Sequence, residues 1–283
     1  MCEINKNAIT AMSEDGQVAY VDPKALKRRD LIRGLASGAM FVVLPACATN
    51  PETGRSQFTA LAPGDAQMAA MALDAWNEQK AKTPISRDPT ANARLQRVGQ
   101  RIAVASGRTN LPWEFVVFDT NEKNAFVLPG GKVGFYRGLM DISDRDDHIA
   151  TVVGHEVGHV TGRHAAERFS QGIAAQVGLT AAQAGTGGMD PRTRQIALTA
   201  LGLGAQVGVL LPYSRLQESE ADRIGVDYMV RAGYDPRESV RFWERMNQSG
   251  GARPPTILST HPDPARRMAD LRAYISAKGY ATF

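Results

Sequence analysis

Val152-Val153-Gly154-His155-Glu156-Val157-Gly158-His159-Val160 is the stretch whose reading decides the rest of the chain. Its run of apolar and small residues predicts a buried α-helix. On a helix, residues four apart share a face, so His155 and His159 project side by side about one turn apart. Two neutral imidazole nitrogens at that separation can hold one Zn²⁺. Glu156 follows the first histidine and stands beside the metal position rather than on it. A carboxylate there can take a proton from water at the metal. A solvated helix face could carry the same residues by chance. Val152, Val153, Val157 and Val160 oppose that, because buried His and Glu need partners.

A catalytic zinc has three protein ligands and an open position, so a third ligand is required. His164 is near in sequence, but the spacing His155-Glu156-x-x-His159-x-x-Gly162 would need a histidine at position 165, which is Ala165. A continuing helix also turns His164 away from the His155/His159 face. It is therefore assigned a place behind the site or on the surface. The better candidate comes 59 residues after His159, in Tyr213-Ser214-Arg215-Leu216-Gln217-Glu218-Ser219-Glu220-Ala221-Asp222. Glu218 and Asp222 are again four apart on one face. Glu218 would complete a His₂Glu set, and Asp222 would orient a ligand imidazole from behind. Glu220 and Arg223 read as ordinary charged helix positions. Tyr213 and Arg215 lie beside Glu218, where either could stabilise an oxyanion.

His155-Glu156-x-x-His159 followed by Ser214-Arg215-x-x-Glu218-x-x-Ala221-Asp222 resembles metallopeptidase family forty-eight, a family of gluzincins. Asn124-Ala125-Phe126-Val127-Leu128-Pro129-Gly130-Gly131-Lys132-Val133 is similar to that family's edge-strand segment. Thr260-His261-Pro262 with Arg266 is similar to its C-terminal segment. The resemblance covers about residue 50 to about residue 275 and is closest to the periplasmic lipoprotein-type members. It implies an α+β, mainly helical, zincin-like metalloprotease domain with a small antiparallel β-sheet. It implies one Zn²⁺ per chain on His155, His159 and Glu218, with Glu218 rather than Glu220 as ligand, and a substrate edge strand at Asn124 and Ala125. For His261 two roles stay open. It could donate a hydrogen bond to the oxyanion, as in other gluzincins, or occupy the open metal position and hold the enzyme off, as in the periplasmic members.

Composition bounds the remainder. A chain of 283 residues with 43% hydrophobic residues can build one large core or two small ones. Net charge is +4, and no basic run with interleaved aromatics follows residue 47, which argues against a nucleic-acid partner. Cys2 and Cys47 fall on opposite sides of an expected cleavage point, so no disulfide is expected. Residues 1–24 read as a polar leader, with Met12 an alternative start. Lys27-Arg28-Arg29-Asp30-Leu31-Ile32-Arg33 and the uncharged Gly34 to Ala46 form an export signal, too short to span a bilayer. Arg28-Arg29-x-Leu31-Ile32-Arg33 resembles a twin-arginine signal, and Leu44-Pro45-Ala46-Cys47 a lipobox that places lipid on Cys47. Lipid at one terminus would anchor the protein to a membrane, and Ala48 after the cysteine suits the outer one. The expected organisation is signal 1–46, tether 47–62 and peptidase domain 63–283.

Within that domain, helices are expected from Pro63 and over Ala91 to Ala105, then three strands (Trp113 to Asp119, Ala125 to Leu128, Val133 to Tyr136). Ser143 with Asp146 opens the metal helix as a weak capping box, and that helix extends to about Gly178. Thr186-Gly187-Gly188 reads as a loop. Ile196 to Pro212, seventeen residues without a charge, reads as a buried helix rather than a membrane span. Gly225 to Gly233 and Pro236 to Met246 read as two further helices. The functional expectation is a periplasmic endopeptidase acting on misfolded or misassembled envelope proteins. The alternative is a chaperone or assembly factor for outer-membrane proteins in which cleavage is secondary.

Overall fold

The computed structural model describes residues 9–12, 18–21, 40–42, 48–182, 213–248, 255–261 and 264–283. The twin-arginine-like run, Cys47, the Thr186 to Gly188 loop and Ile196 to Pro212 lie outside them. Strands β1 (Ile9–Met12), β2 (Val18–Val21) and β3 (Met40–Val42) pair antiparallel in the order β2-β1-β3, within the stretch expected to be leader and signal. Two short strands, β4 (Ala48–Thr49) and β5 (Ser56–Gln57), follow as an antiparallel pair.

Helix α1 (Asp65–Lys82) carries Met68, Ala72 and Trp76 on its buried face. Helix α2 (Pro89–Ala105) starts where Asp88 accepts from the Thr90 and Ala91 amides, with Pro89 in its first turn. Strands β6 (Glu114–Phe118), β7 (Ala125–Leu128) and β8 (Lys132–Tyr136) form one sheet in the order β6-β8-β7. The expected antiparallel sheet is in fact mixed, because β6 and β8 run parallel. The loop after β6 carries the chain past the central position, so the second strand of the β7–β8 hairpin lies beside β6. Gly130 and Gly131 make that hairpin turn at φ 87° and 78°, a region open to glycine. Alternation then divides the sheet: Val117 and Phe135 face the main core, while Val116, Phe118 and Tyr136 pack on Trp76.

After α3 (Arg137–Met140) comes α4 (Asp146–Thr161), in which every residue from His148 to His159 is buried. Its cap position is Arg145 without a side-chain bond, because Ser143 Oγ donates instead to the Leu139 carbonyl. The helix stops at Gly162. Arg163, at φ 53°, turns the chain into α5 (His164–Ala182), so the single helix expected to reach Gly178 is two. Helix α6 (Arg215–Arg231) begins with a reciprocal Ser214–Gln217 capping box. It is followed by α7 (Arg237–Gln248), α8 (Thr256–Thr260) and α9 (Pro264–Ala277).

The packing of α4 on α6 positions the site. A Cβ on Gly154 would meet the Gly225 carbonyl oxygen at 2.9 Å, and one on Gly158 the Ala221 carbonyl oxygen at 2.7 Å. Surfaces without side chains let the two helices touch backbone to backbone. Gly225 is therefore a point of close approach inside α6, not the start of a separate helix. Around this crossing Val152, Val153 and Val157 pack with Ile224, Trp243, Leu271 and Ile275 in one core. No helix among the described residues is long and apolar enough to cross a membrane.

Candidate metal and catalytic site

The crossing of α4 and α6 brings His155, His159 and Glu218 together. The Nε2 atoms of His155 and His159 lie 3.1 Å apart. Glu218 Oε2 lies 3.6 Å from the first and Oε1 lies 3.4 Å from the second. His261, just after α8, joins them, with Nδ1 3.1 Å from His155 Nε2 and 2.9 Å from Glu218 Oε1. One ligand atom from each of the four falls within 4.8 Å of all the others. All four side chains are buried.

The hydrogen bonds behind the ligands set their protons. Asp222 Oδ1 sits 2.8 Å from His155 Nδ1, so that nitrogen donates and the bare Nε2 faces the cluster. His159 Nδ1 sits 2.8 Å from His164 Nδ1, with the same consequence for its Nε2. Burial pushes His155 below, and His159 well below, the ordinary imidazole value. Burial alone would raise Glu218, but His261 and Arg267 hold it well below the carboxylate range. Neutral imidazoles and an ionised carboxylate are the states in which these groups bind a divalent cation. Facing acceptors at 3.1 Å repel one another unless a cation lies between them. The donor set therefore fits a metal ion of the zinc type.

Glu156 stands beside this cluster. Burial is the main cause raising its pKa to about 7, with the neighbouring Glu218 acting in the same direction and His261 against it. Its Oε1 has no hydrogen-bond partner and lies 3.5 Å from His261 Nε2. For His261, burial opposes the charged ring, but the Glu218 and Glu156 carboxylates hold its pKa above the ordinary value. Tyr213 stacks on His159 at a centroid distance of 3.9 Å and on His261 at 5.3 Å. Burial raises the Tyr213 phenol. Arg215, paired with Tyr213 in the sequence reading, lies exposed in the first turn of α6.

The buried guanidinium of the site belongs instead to Arg267. Its Nη1 is 3.0 Å from Glu218 Oε2, its Nε and Nη2 donate to the two Asp222 oxygens at 2.7 Å each, and it lies over the Trp243 ring at 4.2 Å. The sequence reading singled out Arg266, whose exposed side chain lies 3.8 Å from Asp270. The signal that separates the two is spacing on α9, because Arg267, Leu271 and Ile275 share one buried stripe. Glu220 also departs from expectation. It is buried, with Oε2 3.2 Å from His164 Nε2 and Oε1 accepting from Arg55 Nε at 2.7 Å.

Strand β7 pairs with β8 alone among the described residues. Asn124 accepts from the Tyr136 amide through its carbonyl and from the Ala125 amide through Oδ1. Hydrogen bonding alternates along an antiparallel pair, so the main-chain groups of Ala125 and Val127 point away from β8. A cleft of about 320 Å³ runs beside this edge, lined by Val127, Pro129, Gly130, His159, Arg163 and Tyr213.

Two helices that converge two histidines and a glutamate beside a buried carboxylate, next to a strand paired on one side only, define a metallopeptidase domain. The chain belongs to peptidase family M48, whose profile matches residues 89–275. It is 35% identical over 185 residues to the mitochondrial metalloendopeptidase OMA1 of Schizosaccharomyces pombe, covering 64% of this chain and 52% of the relative. It is 29% identical over 264 residues to the beta-barrel assembly-enhancing protease of Escherichia coli, covering 88% of this chain and 52% of the relative. The chain thus spans about half the length of these relatives.

Proposed function

We propose that the protein is a zinc-dependent endopeptidase of the bacterial envelope, cutting extended segments of misfolded or misassembled envelope proteins. The observation that carries this is the meeting of His155, His159 and Glu218 beside Glu156, whose buried Oε1 is unpartnered. His155, His159 and Glu218 would hold Zn²⁺, which would supply Lewis acidity and lower the pKa of water at the site. Glu156 takes the proton of the attacking water and returns it to the leaving amine, a task suited to a carboxyl with pKa about 7. Tyr213 braces the His159 ring.

Substrate adds as a strand along β7, against the outward carbonyls of Ala125 and Val127. Main chain recognised by main chain favours unfolded segments and makes little demand on their sequence. The signal-like run before Cys47 and the lipobox-like Leu44 to Cys47 support export and lipid anchoring at the outer membrane. The purified chain loaded with one Zn²⁺ is expected to cut an unfolded outer-membrane protein and spare its folded form. A loaded chain that cuts neither overturns the reading. The name of the Escherichia coli relative, an assembly-enhancing protease, also favours a second reading, assembly assistance with cleavage incidental.

His261 Nδ1 lies in the cluster, where the ring would take the place that water or substrate needs. As a plug it must leave before substrate enters, so His261→Ala is expected to speed cleavage of an unfolded protein. The gain is about tenfold if closure is favoured by about 1.4 kcal/mol. Slower cleavage would assign His261 to the oxyanion instead.

A further inference from the structure

The segment expected to be a tether packs onto the site. Asn50 is 1% exposed, and its Nδ2 donates to the Thr161 carbonyl at 3.3 Å. Gln57 Nε2 donates to the Gly162 carbonyl at 2.6 Å. The two side chains satisfy carbonyls that the end of α4 leaves free. Between them Arg55 forks: Nη1 and Nη2 donate to the two Glu167 oxygens at 2.7 Å each, and Nε donates to Glu220 at 2.7 Å. Glu220 in turn meets His164, and His164 meets His159.

We propose that Arg55, Glu220 and His164 form a positioning chain for His159, which makes the N-terminal strap Ala48–Gln57 part of the metal site. The proposal rests on the assignment of His159 as a ligand. An ionised Glu220 only accepts, so His164 Nε2 carries a proton and its Nδ1 is bare. His159 Nδ1 must then donate across the 2.8 Å contact, leaving His159 Nε2 free for metal. Asp222 does this for His155 in one step. For His159 the work passes through His164, which the left-handed Arg163 swings back over α4. Gly162 is needed for that return, since a Cβ there would meet His164 Nε2 at 2.6 Å. Arg55 fixes the far end by holding Glu220 and Glu167 together, and Gln217 Nε2 braces Glu167 at 2.8 Å.

The test uses the full chain, with Zn²⁺ affinity read by chelator competition and Co²⁺ substitution read by its absorption bands. His164→Ala is expected to weaken Zn²⁺ by about 10- to 100-fold, the usual cost of losing a partner behind a ligand. It should also shift the Co²⁺ bands. His164→Gln keeps an acceptor for His159 and a donor for Glu220, and should recover most of the affinity. Arg55→Ala, far from the ion, should weaken Zn²⁺ in the same direction, and Arg55→Lys should restore it in part. Melting curves identify any variant that fails to fold, and in that case the Gln and Lys variants carry the comparison. Folded Arg55→Ala and His164→Ala proteins with wild-type affinity and spectrum would overturn the proposal. If His155→Ala leaves Zn²⁺ binding intact, the metal assignment itself fails, and the proposal fails with it.

Discussion

Glu156→Gln should lower the rate of peptide cleavage by roughly 10² to 10⁴-fold, the usual contribution of a positioned general base, while Zn²⁺ stays bound. The amide is nearly isosteric and fills the same buried space beside Val127 and His261, but it cannot accept a proton at any working pH. Glu156 is not among the residues whose atoms meet in the ligand cluster, so metal content should hold at one ion per chain. Cleavage of an unfolded protein and metal analysis of the same sample check both halves. Undiminished cleavage removes Glu156 from the mechanism. The same variant separates the two functional readings. If it fully replaces the wild-type protein in a deletion strain, binding is the biological role and cleavage is incidental.

Gly158→Ala should damage folding and metal binding together. The added methyl would sit 2.7 Å from the Ala221 carbonyl oxygen and 3.1 Å from the Ala221 Cα. Both are backbone atoms and cannot swing aside. The helices must part, at an overpacking cost of about 1–3 kcal/mol. His159 adjoins Gly158 on α4, and Glu218 lies one turn before Ala221 on α6, so the separation falls on the metal site. Denaturant unfolding should show the loss of stability, and chelator competition a weaker Zn²⁺ site. A Gly158→Ala protein as stable as wild type would contradict the close crossing.

The convergence of His155, His159 and Glu218 was legible because its information is local. His155 and His159 share a face through helical spacing, and so do Glu218 and Asp222; one crossing then brings the pairs together. The glycines that permit the crossing are visible in sequence, but nothing local ties Gly225 to its partner, Gly154, seventy-one residues away. His164 does lie behind the site, one of the two places expected for it, although a continuous helix would turn it away. One residue at φ 53° reverses that geometry, and arginine at such a position carries no local signal. Arg267 lost to its neighbour because a motif was weighed ahead of the apolar stripe of α9. The parallel pairing of β6 with β8 depends on which side of β8 a short loop passes, and strand composition does not encode that. Arg55 was read as linker because turn residues around it mark flexibility, whereas its ion pairs lie more than a hundred residues on.

The pinned Asn50 has a mechanical consequence. Three peptide steps separate it from Cys47, a leash of about 11 Å at full stretch. A lipid on that cysteine would hold the enzyme flush with the bilayer, denying it the sweep of a long stalk. Its catchment would then be chains emerging at the membrane surface, and lengthening the leash would widen it.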